Sequence, residues 1–154
     1  MILIDANLLL YAYDETSTRH AAARAWLQKV FSSGETVGLS WITLLAFLRI
    51  GTDHRAVRRP MGPADAAAIV GSWLARPNVN VLQPTDRHWT ILTKLLVEGQ
   101  VRGPVVMDAH LAALAIEHGA VLCTVDRDFS RFPALAVSNP LDGAFDGATD
   151  AKRR

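Results

Sequence analysis

Four aspartates set the chemistry open to this chain. Asp5 ends the apolar run MILI, Asp108 lies in VVMDAHLAALAI, and Asp126 and Asp128 follow one another in VLCTVDRD. Taken singly, each reads equally well as a turn or helix-cap aspartate, since a short carboxylate readily accepts hydrogen bonds from backbone N–H groups nearby. Asp108 fits that description least. If its helix begins at Pro104, its neighbours on the helical face are Val105, Leu111, Ala112, Ala115 and Ile116, all apolar. A carboxylate on such a face is costly to bury unless a cation or hydrogen-bond donors compensate it. An N-cap at Asp108, with the helix starting at Ala109, is the competing placement and would remove the anomaly.

A shared cation is the most economical account of the four together. Clustered carboxylates repel one another, and neither Asp5 nor Asp108 has a lysine or arginine beside it in sequence. Oxygen-only ligands suit Mg²⁺, with Mn²⁺ as the alternative, better than zinc, which prefers histidine and cysteine. Such ions bind phosphate oxygens, activate water and stabilise the leaving oxygen of an in-line displacement. That chemistry is phosphodiester hydrolysis.

The elements around these residues must bring them to one place. Met1 to Ile4 is a continuous apolar run and reads as a buried strand, ended by Asp5 and Asn7. A helix is expected from Ser17, as N-cap, to Phe31, followed by a strand over Thr36 to Ser40 and an apolar helix over Trp41 to Ile50. Residues 52–62, TDHRAVRRPMG, read as a basic loop, and Pro63 opens a helix over Ala64 to Ala75. A strand over Val79 to Leu82 and a helix from Asp86 to Glu98 come next. Gly103-Pro104 starts a helix that runs to Glu117 or His118 with Gly119 at C′, then strands follow at Ala120 to Val125 and Leu135 to Val137. Strands alternating with helices imply β-α-β units and a mainly parallel sheet covered on both faces. In such sheets ligands bind beyond the carboxyl ends of the strands, where Asp5 and Asp126 both fall.

Composition sets wider bounds. A chain of 154 residues fits one domain and, at that size, buries roughly two-thirds of its unfolded surface. Half the residues are hydrophobic, and the net charge of +1 gives no global field, so a polyanion would need a local basic patch. Arg49, Arg55, Arg58 and Arg59, with His54, form either such a patch for RNA phosphates or a solvated basic loop. The single cysteine, Cys123, forms no intrachain disulfide and reads as a small hydrophobe, which fits a reducing, cytoplasmic setting. No apolar run reaches the roughly 18 residues of a membrane span. The five histidines show no paired ligand spacing, and His110 and His118 read as surface or hydrogen-bonded residues. The four tryptophans read as core or interface. From residue 142 the tail DGAFDGATDAKRR is small, polar and charged, and is expected to be disordered; residues 1–141 form the domain.

ILIDANLLLYAY, SWITLLAFLRIGT and DAHLAALAIEHGAVLCTVDRDFSRFPAL together resemble the PIN domain, specifically the VapC-type toxins of bacterial toxin–antitoxin pairs abundant in mycobacteria. The last segment is the most specific, because an Asp-Ala helix and a T-x-D-x-D strand end occur together. The resemblance covers residues 1–141. It implies a PIN-like, Rossmann-like three-layer α/β domain of about five parallel strands. It also implies Mg²⁺-dependent endoribonuclease activity on an RNA substrate, homodimerisation, and inhibition by a small VapB-type antitoxin. By motif, Asp5, Asp108, Asp126 and Asp128 form the acidic site, the first three holding metal, with Asn7 and Thr124 as supporting polar residues. One departure stands out: the family's usual glutamate three residues before the middle-helix arginine is here Ala46, before Arg49. The metal site either uses fewer protein ligands and more water, or Thr43 or another oxygen partly substitutes. The same departure leaves room for a catalytically silent PIN fold that binds RNA or protein. A phosphatase of the haloacid-dehalogenase type needs Asp-x-Asp where this chain has Asp5-Ala6-Asn7, and a receiver needs a late lysine where only Lys152 is available, so both are disfavoured.

Overall fold

The structure is a computed structural model that describes residues 1–142; the tail expected to be disordered lies, beyond Asp142, outside the described residues. Five short strands form one parallel sheet: β1 (Ile2–Ile4), β2 (Val37–Leu39), β3 (Val79–Val81), β4 (Val121–Cys123) and β5 (Val137–Ser138), in the order β3-β2-β1-β4-β5. β1 is central, with Ile2 paired to Val37 on one side and Val121 on the other. The crossovers are α1 (Ala6–Tyr13), α2 (His20–Ser32), α3 (Trp41–Gly51), α4 (Pro63–Leu74), α5 (His88–Glu98) and α6 (Val105–Glu117).

Side-chain alternation along the strands divides the core into two layers. Ile4, Val37, Leu39 and Cys123 pack with Leu8, Trp26, Phe47 and Trp73 from α1 to α4. Leu3 and Leu122 pack on the opposite face with Leu95 of α5 and Leu111, Ala112 and Ala115 of α6. Phe47 and Trp73 meet edge to face at 4.7 Å, and Tyr13 lies 5.7 Å from each, so the aromatic side chains of three helices fix one another. Trp41 and Trp89 are exposed, unlike Trp26 and Trp73. Gly38 in β2 lets Leu82 pack close, since a Cβ there would stand 2.7 Å from Leu82 Cδ1 and make that side chain shift. Gly119, with φ +63°, takes the left-handed turn that ends α6, as its placement at C′ predicts.

The chain departs from the sequence expectation most after β1. Where Asp5 and Asn7 were to end a strand ahead of a first helix at Ser17, an additional helix, α1, starts at Ala6. Asp5 is its N-cap and accepts a hydrogen bond from Ala6 N at 2.7 Å. Leu8, Leu9 and Ala12 recur at helical spacing and are fully buried, yet the unbroken apolar run conceals that period. Ser17 holds a turn by accepting from Arg19 N, and α2 begins three residues later than its expected cap. A short 3-10 helix, Arg127–Arg131, also goes beyond the sequence reading.

Candidate active site

Asp5 leaves the central strand at its carboxyl end, and its carboxylate is held on both oxygens. Oδ1 accepts from Ala6 N at 2.7 Å, while Oδ2 accepts from Thr124 Oγ1 at 2.7 Å and Asn7 Nδ2 at 3.1 Å. Thr124 follows β4, is 1% exposed, and accepts from Asn7 Nδ2 at 3.2 Å and Asp126 N at 3.0 Å. One hydroxyl thus ties together the segments that follow β1 and β4. Burial pushes the Asp5 carboxyl above the usual carboxylate range; the Thr124, Ala6 and Asn7 hydrogen bonds pull it back, and the Asp126 charge adds to the rise.

Asp108 lies in the first turn of α6, inside a helix capped by Pro104, so the N-cap alternative does not apply. Among the described residues none donates a hydrogen bond to its carboxylate. Burial raises its pKa to about 6, helped by repulsion from Asp126, Asp5 and Asp128, with Arg131 the opposing charge. Three chain segments therefore deliver negative charge to one region that has little to neutralise it.

Asp5 and Asp108 line a cavity of about 510 Å³ together with Thr43, Ala46 and Arg49 of α3; Ile42, Leu45 and Met107 supply apolar wall. Asp126 lines a neighbouring depression of about 310 Å³ with Thr124 and Ser130, and its Oδ1 accepts from Asp128 N at 2.8 Å as the cap of the 3-10 helix. Asp128 is exposed in that helix and lines neither. Of the four arginines read as RNA-binding, Arg49 reaches the cavity, whereas Arg55, Arg58 and Arg59 are exposed in the loop after α3.

Two covered polar atoms near the carboxylates have no partner among the described residues: Asn7 Oδ1 and Thr43 Oγ1. An orphaned buried acceptor or hydroxyl costs about 1–3 kcal/mol, so each calls for a physical reason. The amide of Asn7 is oriented by its neighbours. Thr124 Oγ1 gives its proton to Asp5, leaving Asn7 Nδ2 to donate to both, and Oδ1 to face away.

A second polar cluster lies between α5 and α6, and sequence spacing alone does not reveal it. Glu117 Oε2 accepts from Thr85 Oγ1 at 2.6 Å and Thr85 N at 3.1 Å. With both rings neutral, His88 Nδ1 donates to Glu117 Oε1 at 2.6 Å and His110 Nδ1 donates to His88 Nε2 at 2.9 Å. Burial opposes the Glu117 charge, but the Thr85 and His88 hydrogen bonds outweigh it and hold the carboxyl below its usual range. His110 is lowered by burial and by His88. His118 bonds the Gln83 carbonyl at 2.8 Å, so His110 and His118 are hydrogen-bonded residues as expected. The only hint in sequence is that His110 and Glu117 share a face of α6. Cys123 is buried, which pushes its thiol up to about 11, in keeping with a small hydrophobe.

The PIN domain family model matches residues 2–135, nearly the whole described chain. The chain belongs to the PIN-domain family. Curated relatives include VapC-type ribonucleases of mycobacteria. Ribonuclease VapC37 of Mycobacterium tuberculosis is 40% identical over 140 residues, covering 91% of this chain and 97% of that protein. Ribonuclease VapC33 of the same species is 39% identical over 141 residues, covering 92% and 99%. Among solved structures, the Rickettsia felis VapBC2 complex bound to a promoter DNA fragment aligns with TM-score 0.64 at 21% identity, over 90% of this chain and 98% of that one. M. tuberculosis VapC20, described as a Sarcin-Ricin loop cleaving toxin, aligns with TM-score 0.63 at 21% identity, over 84% and 93%. These likenesses bear out the PIN-like α/β fold of five parallel strands with helices on both faces.

Proposed function

We propose that this PIN domain is the toxin of a toxin–antitoxin pair and hydrolyses RNA phosphodiester bonds as a Mg²⁺-dependent endoribonuclease. The carrying observation is that Asp5 and Asp108, distant in sequence, line one cavity with Arg49. The VapC ribonucleases among the relatives support the activity. The silent-scaffold alternative rests on Ala46 alone, and those relatives do not favour it.

The residues present suit a hard divalent cation by their chemistry. All the candidate donors are oxygens, the carboxylates repel one another, and two orphaned oxygens lie beside them. Among the described residues no three acidic, histidine or cysteine side chains stand as a ready ligand cluster, so water would have to supply the remaining coordination. Asp5, Asp108 and Asp126 would hold the ion. When bound, Mg²⁺ or Mn²⁺ supplies charge neutralisation at the scissile phosphate and a lowered pKa for attacking water.

The chain's own residues prepare that chemistry. Thr124 and Asn7 fix the orientation of Asp5. Asp108, unbonded and charge-crowded, would have its charged form stabilised by a bound cation, which would bring its raised pKa back down. Asp128 orients water from the exposed side, and Arg49 faces a phosphate oxygen of the RNA. A small VapB-type antitoxin is the partner, in line with the VapBC complexes among the structural neighbours. The working form is a cytoplasmic homodimer. Among the described residues no helix is long and apolar enough to cross a membrane.

Purified protein incubated with RNA and Mg²⁺ or Mn²⁺ tests the proposal. Cleavage that a chelator stops, and that Asp108→Asn and Asp5→Ala abolish while circular dichroism is unchanged, is the expected result. Cleavage that persists in either variant overturns the site assignment, and no cleavage of any RNA pool favours the silent scaffold.

A further inference from the structure

We infer that Thr43 is a positioning residue of the cation site: its hydroxyl hydrogen-bonds the water shell of a divalent ion held by Asp5 and Asp108. The inference rests on the metal-dependent reading above and names a contact within it. Thr43 lines the same cavity as those two carboxylates, is 1% exposed, and its Oγ1 has no partner among the described residues. A hydroxyl in the first turn of a helix ordinarily finds a backbone or side-chain partner. Here neither Ser40 Oγ, the N-cap of α3 that accepts from Thr43 N at 3.5 Å, nor Ser40 O, which accepts from Leu44 N at 2.9 Å, takes a hydrogen bond from Thr43 Oγ1. The residue lines a cavity that holds carboxylates while its hydroxyl is covered and unspent, which points to a ligand that arrives with its own donors and acceptors and draws the hydroxyl round to the cavity face.

Water on a hard cation meets that description. Threonine in a helix has two accessible χ1 rotamers, so one rotation exchanges methyl and hydroxyl at the cavity face without moving the backbone. Ala46, one turn along α3 on the same wall, brings no polar group that would compete for that water. The second orphan, Asn7 Oδ1, belongs to the side chain that bonds Asp5 and Thr124. Both orphaned side-chain oxygens among the described residues thus belong to residues that either bond Asp5 or share its cavity.

Calorimetric titration of Mg²⁺ and of Mn²⁺ into the full chain, with thermal melts in chelator, separates the possibilities. Thr43→Val keeps the shape and removes the hydroxyl; Thr43→Ser keeps the hydroxyl. The valine variant is expected to melt at or above the wild-type temperature in chelator, since an orphaned polar atom has been removed. It should bind the ions about tenfold or more weakly, while the serine variant stays near wild type. Equal ion affinity in the valine variant overturns the inference, as does equal loss in both variants. Wild-type protein that binds neither ion overturns the metal-dependent reading itself, a separate outcome from the first two.

Discussion

Thr124 Oγ1 donates to Asp5 Oδ2 at 2.7 Å, joining the residue after β4 to the residue after β1 across the middle of the sheet. The same oxygen accepts from Asp126 N, so a single buried hydroxyl sets both the direction of Asp5 and the path of the Asp126 loop. Thr124→Val keeps the volume and removes these bonds. It should cost about 1.5–3 kcal/mol, the range for hydrogen bonds to a charged group. It should also raise the Asp5 pKa further. Urea unfolding and carboxyl-carbon NMR titration measure the two effects, and an unchanged Asp5 titration would contradict the role assigned to Thr124.

Asp108 makes the metal-free protein more stable in mild acid. Its carboxyl is raised from 3.8 to about 6 in the fold, so between those values the folded state holds a proton that the unfolded chain has released. Stability should therefore fall as pH rises through that window. Asp108→Asn should flatten the slope, leaving the portion due to Asp5, which is shifted in the same direction. Denaturant melts in chelator across the window check this, and an identical slope in the variant rules it out.

Glu117 has the opposite sign. Its carboxyl is depressed below 4.5, so its contribution is complete above that pH and is lost as pH falls through the folded value. Glu117→Gln should cost about 1.5–3 kcal/mol at neutral pH, through the weakened bonds from His88 and Thr85. It should also remove that acid loss. Equal acid sensitivity in wild type and variant would show that the α5–α6 cluster does not govern it.

Arg49 differs from the other candidate RNA-contacting arginines because it lines the cavity rather than the open loop. Arg49→Ala should weaken RNA binding and lower the salt dependence by about 0.7 of a log unit per log unit of salt, the share of one single-strand phosphate contact. Replacing Arg55, Arg58 and Arg59 together should change the affinity less than replacing Arg49. Fluorescence anisotropy over a salt series, using the Asp108→Asn protein to prevent cleavage, compares them. A larger effect of the triple variant would place the RNA on the loop instead.

Trp73 is 1% exposed and touches the rings of Tyr13, Phe31 and Phe47. Trp73→Ala should cost about 3–5 kcal/mol in urea unfolding. A loss under 1 kcal/mol would mean that the aromatic cluster repacks around the gap.

Much of this was legible because local patterns carry it. Apolar runs alternating with helical segments read as β-α-β units, whose crossover helices cover both faces of a parallel sheet. Asp5 and Asp126 were readable as edge residues because a polar residue ending a buried strand must emerge at the sheet's carboxyl side. Asp108 stood out because its whole helical face is apolar. The helix after Asp5 was not legible: LLLYAY is apolar at almost every position, and a helix buried on most sides shows no period.

What the sequence alone determined was the set of residue types and the side of the sheet to which they go, because strand ends and helix faces follow from period and local sterics. Only the tertiary structure decided that Asp5 and Asp108 share a cavity while Asp126 caps a neighbouring turn, that Arg49 reaches the cavity, and that the Thr43 hydroxyl is left without a partner. These relations depend on how α3 and α6 settle beside β1. That placement is fixed by two hydrophobic layers whose contacts join residues far apart in the chain, and no local pattern encodes it.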